Sequence, residues 1–324
     1  MGDRVPVADA LIGDIGGTHS RLALCSAGTC GEIAVFRNAE HVDLAAIVAE
    51  FLAARGVVAT ALDCLLALAA PVSGTEVKLT NLPWRISAPE LQARFSFRRV
   101  RLVNDFAAVA LALGALGDGD CQALGGGPGD PAAPRLVLGP GTGLGAALWL
   151  PAAGPDFVLA TEAGHATLAA ADEGEAALIA AVRRRHGHVS AERLLSGPGL
   201  VELYRTVAEL EGRAAVSLAP AEVTALALAG TDPVAVAALG HFFALLGGFA
   251  GNLALGTGAR GGVYLGGGIL PRLGAPLAAS EFRARFLAKG RFTAYLEAIP
   301  LALILHPEPG LLGLARAVGG QPGR

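Results

Sequence analysis

A short unit occurs twice in this chain: an apolar segment, a glycine turn and a second apolar segment. One copy runs from Leu11 to Cys25 and the other from Leu136 to Leu150, so they begin 125 residues apart. Short apolar segments separated by glycine are typical of adjacent β-strands joined by a tight turn. The repeat predicts two similar halves, each opening with a glycine turn between paired strands, and a cleft between two domains.

The composition is that of a folded protein with a large core. Of the 324 residues, 53% are hydrophobic and 16% are charged, which excludes a disordered chain. The pattern of the first hundred residues indicates a mixed α/β sheet. The predicted elements are strands at Leu11–Gly17, Arg21–Cys25, Ile33–Arg37, Leu62–Ala70 and Arg99–Val103, a helix at Leu44–Ala54 capped by Asp43, and a short helix beginning at Ser87.

The rest of the chain is predicted to be mostly helical after a second hairpin. Residues Gly117–Pro134 are rich in Gly, Pro, Ala and Asp, which predicts a loop. Periodic apolar residues then predict helices at 173–185, 199–212, 219–229 and 232–255, a strand at 262–265, a strand at 301–305 and a closing helix at 310–318.

One segment raises the question of a membrane span. Residues 233–259 carry no Asp, Glu, Lys or Arg, and the segment is long enough to cross a bilayer. It contains six glycines and no basic cluster flanks it, so a buried core helix is predicted. Asp3, Asp9 and Asp14 interrupt any signal-peptide core, and a cytoplasmic location is expected. The net charge of −3 predicts no attraction to nucleic acid.

The cysteines do not form a metal or disulfide pattern. Cys25, Cys30, Cys64 and Cys121 are scattered, and none forms a C-x-x-C pair. Reduced thiols are therefore expected rather than a zinc site or a disulfide framework.

The first glycine turn, Asp14-Ile15-Gly16-Gly17-Thr18, is a candidate phosphate loop. Such a turn directs backbone N–H groups at an anion, and Asp14 could hold the Mg²⁺ that accompanies a nucleotide, through water. A plain hairpin turn is the alternative. A Walker A loop is excluded because it needs a lysine after its glycines, and the only lysines are Lys78 and Lys289.

Two more glycine clusters follow strands. Gly141, Thr142 and Gly143 form the turn of the second hairpin, and Gly266, Gly267 and Gly268 follow the strand at 262–265. Three glycine clusters at strand ends favour a nucleotide site.

Polar side chains at two other strand ends are candidates for sugar chemistry. Asn104 and Asp105 follow a strand, where Asp105 could accept a proton from a hydroxyl; a helix N-cap is its structural alternative. Glu162, His165 and Glu192 are of the kind that read sugar hydroxyls, although His165 alone could be a buried core histidine.

Taken together, the motifs resemble one known family. The matching segments include LIGDIGGTHSRLAL (11–24), LVNDFAAVALAL (102–113), GTGLG (141–145), TEAGH (161–165), HVSAERLLSGPGLVELYR (188–205), GGVYLGGGILPR (261–272) and PGLLG (309–313). Their set and order resemble the bacterial ATP-dependent glucokinases of the hexokinase-like, actin-type ATPase superfamily. The cysteine-rich zinc motif of the related ROK sugar kinases is absent from the sequence.

The resemblance implies a role for each matching residue. Asp105 would orient and deprotonate the sugar 6-hydroxyl, and Asn104, Glu162, His165 and Glu192 would bind the other hydroxyls. The ATP phosphates would lie against Gly13, Asp14, Ile15, Gly16, Gly17 and Thr18, aided by Gly141, Thr142 and Gly143, with Gly266, Gly267 and Gly268 near the adenosine.

The resemblance also implies the architecture and the partners. It implies an α/β fold of two ribonuclease H-like (actin/hexokinase-type) domains around an interdomain cleft. The small N-terminal domain would be residues 1–110, completed by a C-terminal helix at about 308–324, and the large domain 111–307. Expected partners are glucose, ATP with Mg²⁺ and a second copy in a homodimer, without zinc, nucleic acid or membrane. The alternatives are a kinase for mannose, fructose or glucosamine, a sugar-responsive regulator and an ATPase scaffold.

Overall fold

The computed structural model describes residues 8–79, 82–154 and 157–319, which divide into two compact units. Unit 1 comprises the chain up to Leu116, the segment Ala153–Ala160 and the chain from His306 onward. Unit 2 comprises Gly117–Ala152 and Thr161–Leu305. The domain boundaries expected at residues 110 and 307 stay a prediction.

Unit 1 is built on a mixed sheet. Its strands are β1 (Ala10–Ile15), β2 (His19–Ser26), β3 (Thr29–Cys30), β4 (Ala34–Arg37), β5 (Asp63–Leu68), β6 (Glu76–Lys78), β7 (Arg85–Ser87) and β8 (Arg99–Asn104). Its helices are α1 (Leu44–Arg55), α2 (Ala88–Phe95), α3 (Asp105–Ala112) and α12 (Pro309–Gly319). The sheet order is β3-β2-β1-β5-β8, with β4 also on β2, and β6 pairs separately with β7.

The sheet of unit 1 is covered on both faces. Alternate residues of a strand point to opposite faces, so Leu11 of β1 packs with Phe51 of α1, whereas Ile12 packs with Leu314 of α12. The parallel strand β5 is buried almost throughout, as its continuous apolar run predicts. Asp43 caps α1 by accepting a hydrogen bond from the Ala46 amide at 2.7 Å, which confirms the predicted cap.

The remaining elements contain a second mixed sheet and most of the helices. The strands are β9 (Cys121–Gly125), β10 (Arg135–Pro140), β11 (Leu144–Trp149), β12 (Val158–Thr161), β13 (Gly262–Leu265) and β14 (Leu301–Ile304). The helices are α4 (Glu173–His186), α5 (Ala191–Leu194), α6 (Gly197–Leu210), α7 (Pro220–Ala229), α8 (Pro233–Thr257), α9 (Gly274–Ala278), α10 (Phe282–Leu287) and α11 (Thr293–Glu297).

The two sheets share one plan, which confirms the repeated halves that the sequence predicts. In unit 1, β1 pairs antiparallel with β2 and parallel with β5, and β5 pairs parallel with β8. In unit 2, β10 pairs antiparallel with β11 and parallel with β13, and β13 pairs parallel with β14. Each sheet therefore has a hairpin, closed by a glycine turn, beside two parallel strands.

The loop predicted for Gly117–Pro134 is wrong in part. Strand β9 lies within it and pairs antiparallel with β14, with Cys121 opposite Ile304. Its sequence, Cys-Gln-Ala-Leu-Gly, has none of the β-branched or aromatic residues that signal a strand, and the strand forms because the edge of β14 supplies its hydrogen-bonding partners. A partner 180 residues away in sequence is invisible to a local pattern.

Helix α8 is the core helix predicted for the uncharged segment. It is long and apolar enough to cross a membrane, but 67% of its most apolar window is buried inside the protein. Asp232 caps its start, accepting from the Val234 amide at 2.8 Å. Gly251 lets the Phe286 carbonyl of α10 approach closely, since a Cβ there would lie 2.6 Å from that oxygen. Such close packing is typical of a helix buried among protein neighbours.

Candidate active site

The first glycine turn joins β1 to β2, and Asn38 holds it through two hydrogen bonds. This buried residue donates from Nδ2 to the Gly16 carbonyl at 2.9 Å, and its backbone amide donates to the Thr18 carbonyl at 3.0 Å. Ser20 donates to Asn38 Oδ1 at 2.7 Å. Asn38 thus binds the carbonyls of Gly16 and Thr18, which fixes the orientation of the turn. Sequence reasoning missed Asn38, because nothing in its own segment points to a turn 20 residues earlier.

Asp14 stands at the end of β1 in a charged environment. The Arg21 Nε lies 2.8 Å from a Glu308 carboxylate oxygen, and both charges act on Asp14. Burial raises the pKa of the Asp14 carboxyl to about 6, with Arg21 opposing the rise and Glu308 adding to it. The carboxyl also faces the first turn of α12, where a Cβ at Gly310 would lie 3.8 Å from it. A cation bound here would relieve the cost of burying this charge.

Gly13 and Ile15 support the turn from within the sheet. Both are buried, and a Cβ on Gly13 would come within 2.5 Å of Leu22 and 2.8 Å of Leu66. The packing of the sheet therefore explains why glycine stands at position 13. A contact of either residue with ATP stays a prediction.

Asn104 and Asp105 lie at the same end of the sheet as the first turn. Leu68 pairs with Ile15 on one side and with Asn104 on the other, so the parallel strands end at one level. Ligands of open α/β sheets bind at this carboxyl end. The register thus places Asp105, the first residue of α3, at the same end of the sheet and at the same level as the candidate phosphate turn.

The Asp105 side chain is fixed by its neighbours. Its Oδ1 accepts from the Phe106 amide at 2.9 Å and from Asn104 Nδ2 at 3.0 Å. Asn104 Nδ2 also donates to the Ala70 carbonyl at 3.3 Å, and Asn104 Oδ1 accepts from the Ala107 amide at 3.2 Å. The helix cap is therefore Asn104, and the interpretation of Asp105 as an N-cap is wrong. Asn104 orients Asp105; its contact with a sugar stays a prediction.

The second glycine turn, residues 141–143, is held at both ends. The Gly141 amide donates to the Gly143 carbonyl at 2.7 Å, and the Gly197 amide at the start of α6 donates to the Gly141 carbonyl at 2.8 Å. The Leu144 amide donates to Glu192 Oε2 at 2.8 Å. The turn thus has a fixed orientation in unit 2.

His165 ends a short 3-10 turn, Ala163–His165, in unit 2, and Glu162 immediately precedes that turn. Their side chains are 56% and 62% exposed, with 3.9 Å between the carboxylate oxygen and Nε2, so the interpretation of His165 as a buried core histidine is wrong. Gly164 between them packs against the Leu144 carbonyl group, which a Cβ would overlap. Glu162, His165 and Glu192 are thus assembled around the backbone of Leu144.

The third glycine cluster, Gly266–Gly268, lies where the ends of two strands pack closely. Gly267 has φ +82°, and a Cβ on it would overlap the Pro140 carbonyl. A Cβ on Gly139 would likewise overlap Gly266. These glycines let the end of β13 approach the end of β10 closely. A Cβ on Gly268, by contrast, would meet open space, so packing does not explain this glycine. A contact of this cluster with ATP stays a prediction.

The described residues contain no group of three His, Cys, Asp or Glu able to hold a metal by themselves. Mg²⁺ bound with a nucleotide needs no such cage, because phosphates and water supply most of its ligands. One desolvated carboxylate with a raised pKa, that of Asp14, fits that mode of binding.

Comparison with known proteins places this geometry in a family. The sequence model of the glucokinase family matches residues 11–320. A glucokinase of Paramagnetospirillum magneticum is 45% identical over 312 residues, 95% of this chain and 97% of the relative. One of Nitrobacter hamburgensis is 44% identical over 305 residues, 94% and 95% of the two chains.

Solved structures agree with the fold. The crystal structure of a glucokinase from an Antarctic psychrotroph has a TM-score of 0.86 and 36% identity, covering 96% of this chain and 99% of its own. A Balamuthia mandrillaris glucokinase in complex with glucose has a TM-score of 0.76 at 24% identity, covering 96% and 93%; this likeness concerns the fold alone. Because the family match spans nearly the whole chain, we conclude that this chain belongs to the glucokinase family.

Proposed function

We propose that this protein transfers the γ-phosphoryl group of Mg-ATP to the 6-hydroxyl of D-glucose, the first step of glycolysis. The observation that carries the proposal is the placement of Asp105 at the carboxyl end of the unit 1 sheet, level with the Gly16–Thr18 turn. Relatives at 41–45% identity over nearly the full chain bear the name glucokinase.

Asp105 is proposed as the base for the 6-hydroxyl. Phosphoryl transfer depends mainly on positioning and on stabilising charge, so the base must point in one direction. The hydrogen bonds from Phe106 and Asn104 to Oδ1 supply that orientation. The carboxylate would accept the hydroxyl proton as the oxygen attacks the γ-phosphorus.

The other sugar hydroxyls are proposed to bind Glu162, His165 and Glu192, with Asn104 beside the base. Carboxylate oxygens and an exposed imidazole accept hydrogen bonds from hydroxyl groups. A sugar that lacks a matching hydroxyl leaves such an acceptor desolvated and unpaired, at a cost of about 1–3 kcal/mol each. This cost is the proposed basis for discrimination among hexoses.

The phosphates are proposed to lie on the two glycine turns. Backbone N–H groups of Gly16, Gly17 and Thr18 and of Gly141, Thr142 and Gly143 are the candidate donors, with Gly268 near the adenosine. Asp14 would hold Mg²⁺ through water, a role that suits its desolvated carboxylate. When bound, Mg²⁺ neutralises charge on the β- and γ-phosphates.

Replacing Asp14 by Asn is expected to stabilise the ligand-free protein at neutral pH and to reduce activity. The folded-state pKa is raised from 3.8 to about 6, so the folded protein binds this proton more tightly than the unfolded chain. Its contribution to stability therefore falls as pH rises from about 4 to 6 and stays low above that range. Asp14→Asn removes this penalty, at most roughly 3 kcal/mol at pH 7.5.

Thermal unfolding of both proteins without nucleotide or Mg²⁺ measures this effect. The difference in melting temperature is expected to shrink as the pH is lowered from 7.5 to 5. A lower melting temperature for Asp14→Asn at pH 7.5 would contradict the argument. In a kinase assay, the same variant is expected to lose kcat/KM for Mg-ATP by roughly tenfold or more.

The proposed function is tested by a coupled assay for glucose 6-phosphate with Mg-ATP. Glucose, mannose, fructose and glucosamine are compared at equal concentrations, and glucose is expected to have the highest kcat/KM. Phosphorylation of another hexose but not of glucose would identify that hexose as the substrate. ATP binding without phosphorylation of any hexose would favour a sugar-responsive regulator.

Two further proposals follow from the family resemblance: the protein is a homodimer and it is cytoplasmic. Light scattering of the purified protein decides the first, with a mass of twice the chain mass of 32.5 kDa expected. Fractionation of the producing cell decides the second.

A further inference from the structure

Glu192 has a second feature besides its candidate contact with a sugar: it lies directly on the second glycine turn. Its Oε2 accepts a hydrogen bond from the Leu144 amide at 2.8 Å, and Leu144 immediately follows the turn of residues 141–143. A Cβ on Gly143 would overlap Oε2 and come within 3.2 Å of the Glu192 carboxyl carbon. The glycine thus makes room for the carboxylate against the backbone of the turn.

The segment that carries Glu192 also holds the other end of the turn. The Gly197 amide donates to the Gly141 carbonyl at 2.8 Å. Ser196 connects the two points: its hydroxyl donates to the Glu192 carbonyl at 2.9 Å and accepts from the Gly199 amide at 3.0 Å. The junction of α5 and α6 therefore contacts the turn before and after its bend.

We propose that Glu192 is a positioning residue for the phosphate-binding turn and that it acts through the Leu144 peptide. Its amide is bound by Glu192, and its carbonyl packs on Gly164, between Glu162 and His165. The inference rests on the proposed function, in which the turn binds ATP phosphates.

The physical reason is the reach and direction of this contact. A hydrogen bond weakens steeply as its distance and angle depart from the optimum, so the acceptor oxygen must stand where the Leu144 amide points. A three-residue turn can present its remaining N–H groups to an anion only when its orientation is fixed. The negative charge itself does not help to bind a phosphate nearby, so it is the acceptor oxygen that matters for the nucleotide.

This distinction defines three variants. Glu192→Gln keeps an acceptor oxygen at the same reach and removes the charge. Glu192→Asp keeps the charge and shortens the reach by one methylene, and Glu192→Ala removes both. Glu162→Ala is the matched control, because Glu162 is a proposed sugar ligand that the described structure does not hydrogen-bond to the turn.

Calorimetry measures the affinity of each protein for Mg²⁺ with a non-hydrolysable ATP analogue in the absence of sugar. Glu192→Ala and Glu192→Asp are expected to bind the analogue about tenfold more weakly, whereas Glu192→Gln and Glu162→Ala stay within about twofold of wild type. Glucose affinity is expected to fall in all four. If Glu192→Ala is unfolded by circular dichroism, Glu192→Asp carries the comparison.

Hydrogen exchange at the Leu144 amide is the second readout. It is expected to speed up in Glu192→Asp and to remain slow in Glu192→Gln. An affinity for the analogue equal to that of wild type in both Glu192→Asp and Glu192→Ala would overturn the inference. The proposed function would remain intact in that case, provided that the wild-type protein phosphorylates glucose. Absence of phosphorylation of any hexose by wild type is the separate outcome that removes the proposed function.

Discussion

Asp105→Asn is expected to lower kcat for glucose phosphorylation by about 10²–10⁴, the usual contribution of a general base. The side-chain amide oxygen of Asn can still accept the hydrogen bonds that Phe106 and Asn104 donate to Oδ1. The orientation of residue 105 is therefore kept, and only the ability to take a proton is lost. We expect KM for glucose to change much less than kcat, since the base acts mainly in the transition state.

Asp43→Asn is the matched control for this variant. Asp43 also lies at the start of a helix in unit 1, where its Oδ1 accepts from the Ala46 amide at 2.7 Å. Asn is almost as good an N-cap as Asp, so stability and activity should stay near wild type. The comparison is made by steady-state kinetics and thermal unfolding of both variants. A kcat for Asp105→Asn within threefold of wild type would exclude Asp105 as the base.

The two sheets could be predicted largely from the sequence because their signals are local. The buried strand β5 is a continuous apolar run, and both hairpins are marked by glycine between apolar segments. Helix α8 is predicted by its length and lack of charge. Each of these elements can be predicted from a short stretch of sequence.

The features that sequence reasoning missed depend on partners far along the chain. Strand β9 contains no β-branched or aromatic residue to signal a strand, and it forms on the edge of β14. Asn38 holds a turn that ends 20 residues earlier, and Gly139 is needed because Gly266 packs against it. None of these contacts leaves a pattern in the residue's own segment.

The candidate site shows the same division. The polar residues at strand ends, Asp105 and Glu162 among them, could be found because strands and helices alternate around them. The structural role of each polar residue could not be predicted, because it depends on hydrogen bonds. Asn104, not Asp105, caps α3, and Glu192 accepts a hydrogen bond from the Leu144 amide. Chemistry could be read from residue type, and positioning only from the contacts.

Helix α12 packs closely against α3, the helix that begins with the candidate base. Gly313 of α12 lies on the Ala108 carbonyl of α3, and a Cβ there would overlap that oxygen and come within 2.8 Å of the Ala112 amide nitrogen. Arg316 of α12 adds a hydrogen bond from Nη1 to the Leu111 carbonyl at 3.1 Å. Backbone atoms cannot move aside as a flexible side chain can, so an added methyl group must push the helices apart.

Gly313→Ala is therefore expected to destabilise unit 1 by about 3 kcal/mol, the upper end of typical overpacking. The two tryptophans report the units separately, since Trp84 lies in unit 1 and Trp149 in unit 2, and Trp149→Phe leaves Trp84 as the probe. Urea unfolding in this background should show a lower midpoint for Gly313→Ala. Gly240→Ala in unit 2, on the exposed face of α8 where a Cβ meets open space, should instead stabilise its own helix by about 0.5–1 kcal/mol and leave the Trp84 midpoint unchanged.

Because α3 begins at Asp105, the Gly313→Ala change should also reach the proposed chemistry. Separating the helices shifts the helix that carries the base, so kcat is expected to fall together with the urea midpoint, whereas Gly240→Ala leaves kcat unchanged. An unchanged Trp84 midpoint in Gly313→Ala would show that α12 does not pack on α3 as closely as this structure places it. A lowered midpoint with full kcat would show that the position of Asp105 does not depend on α12.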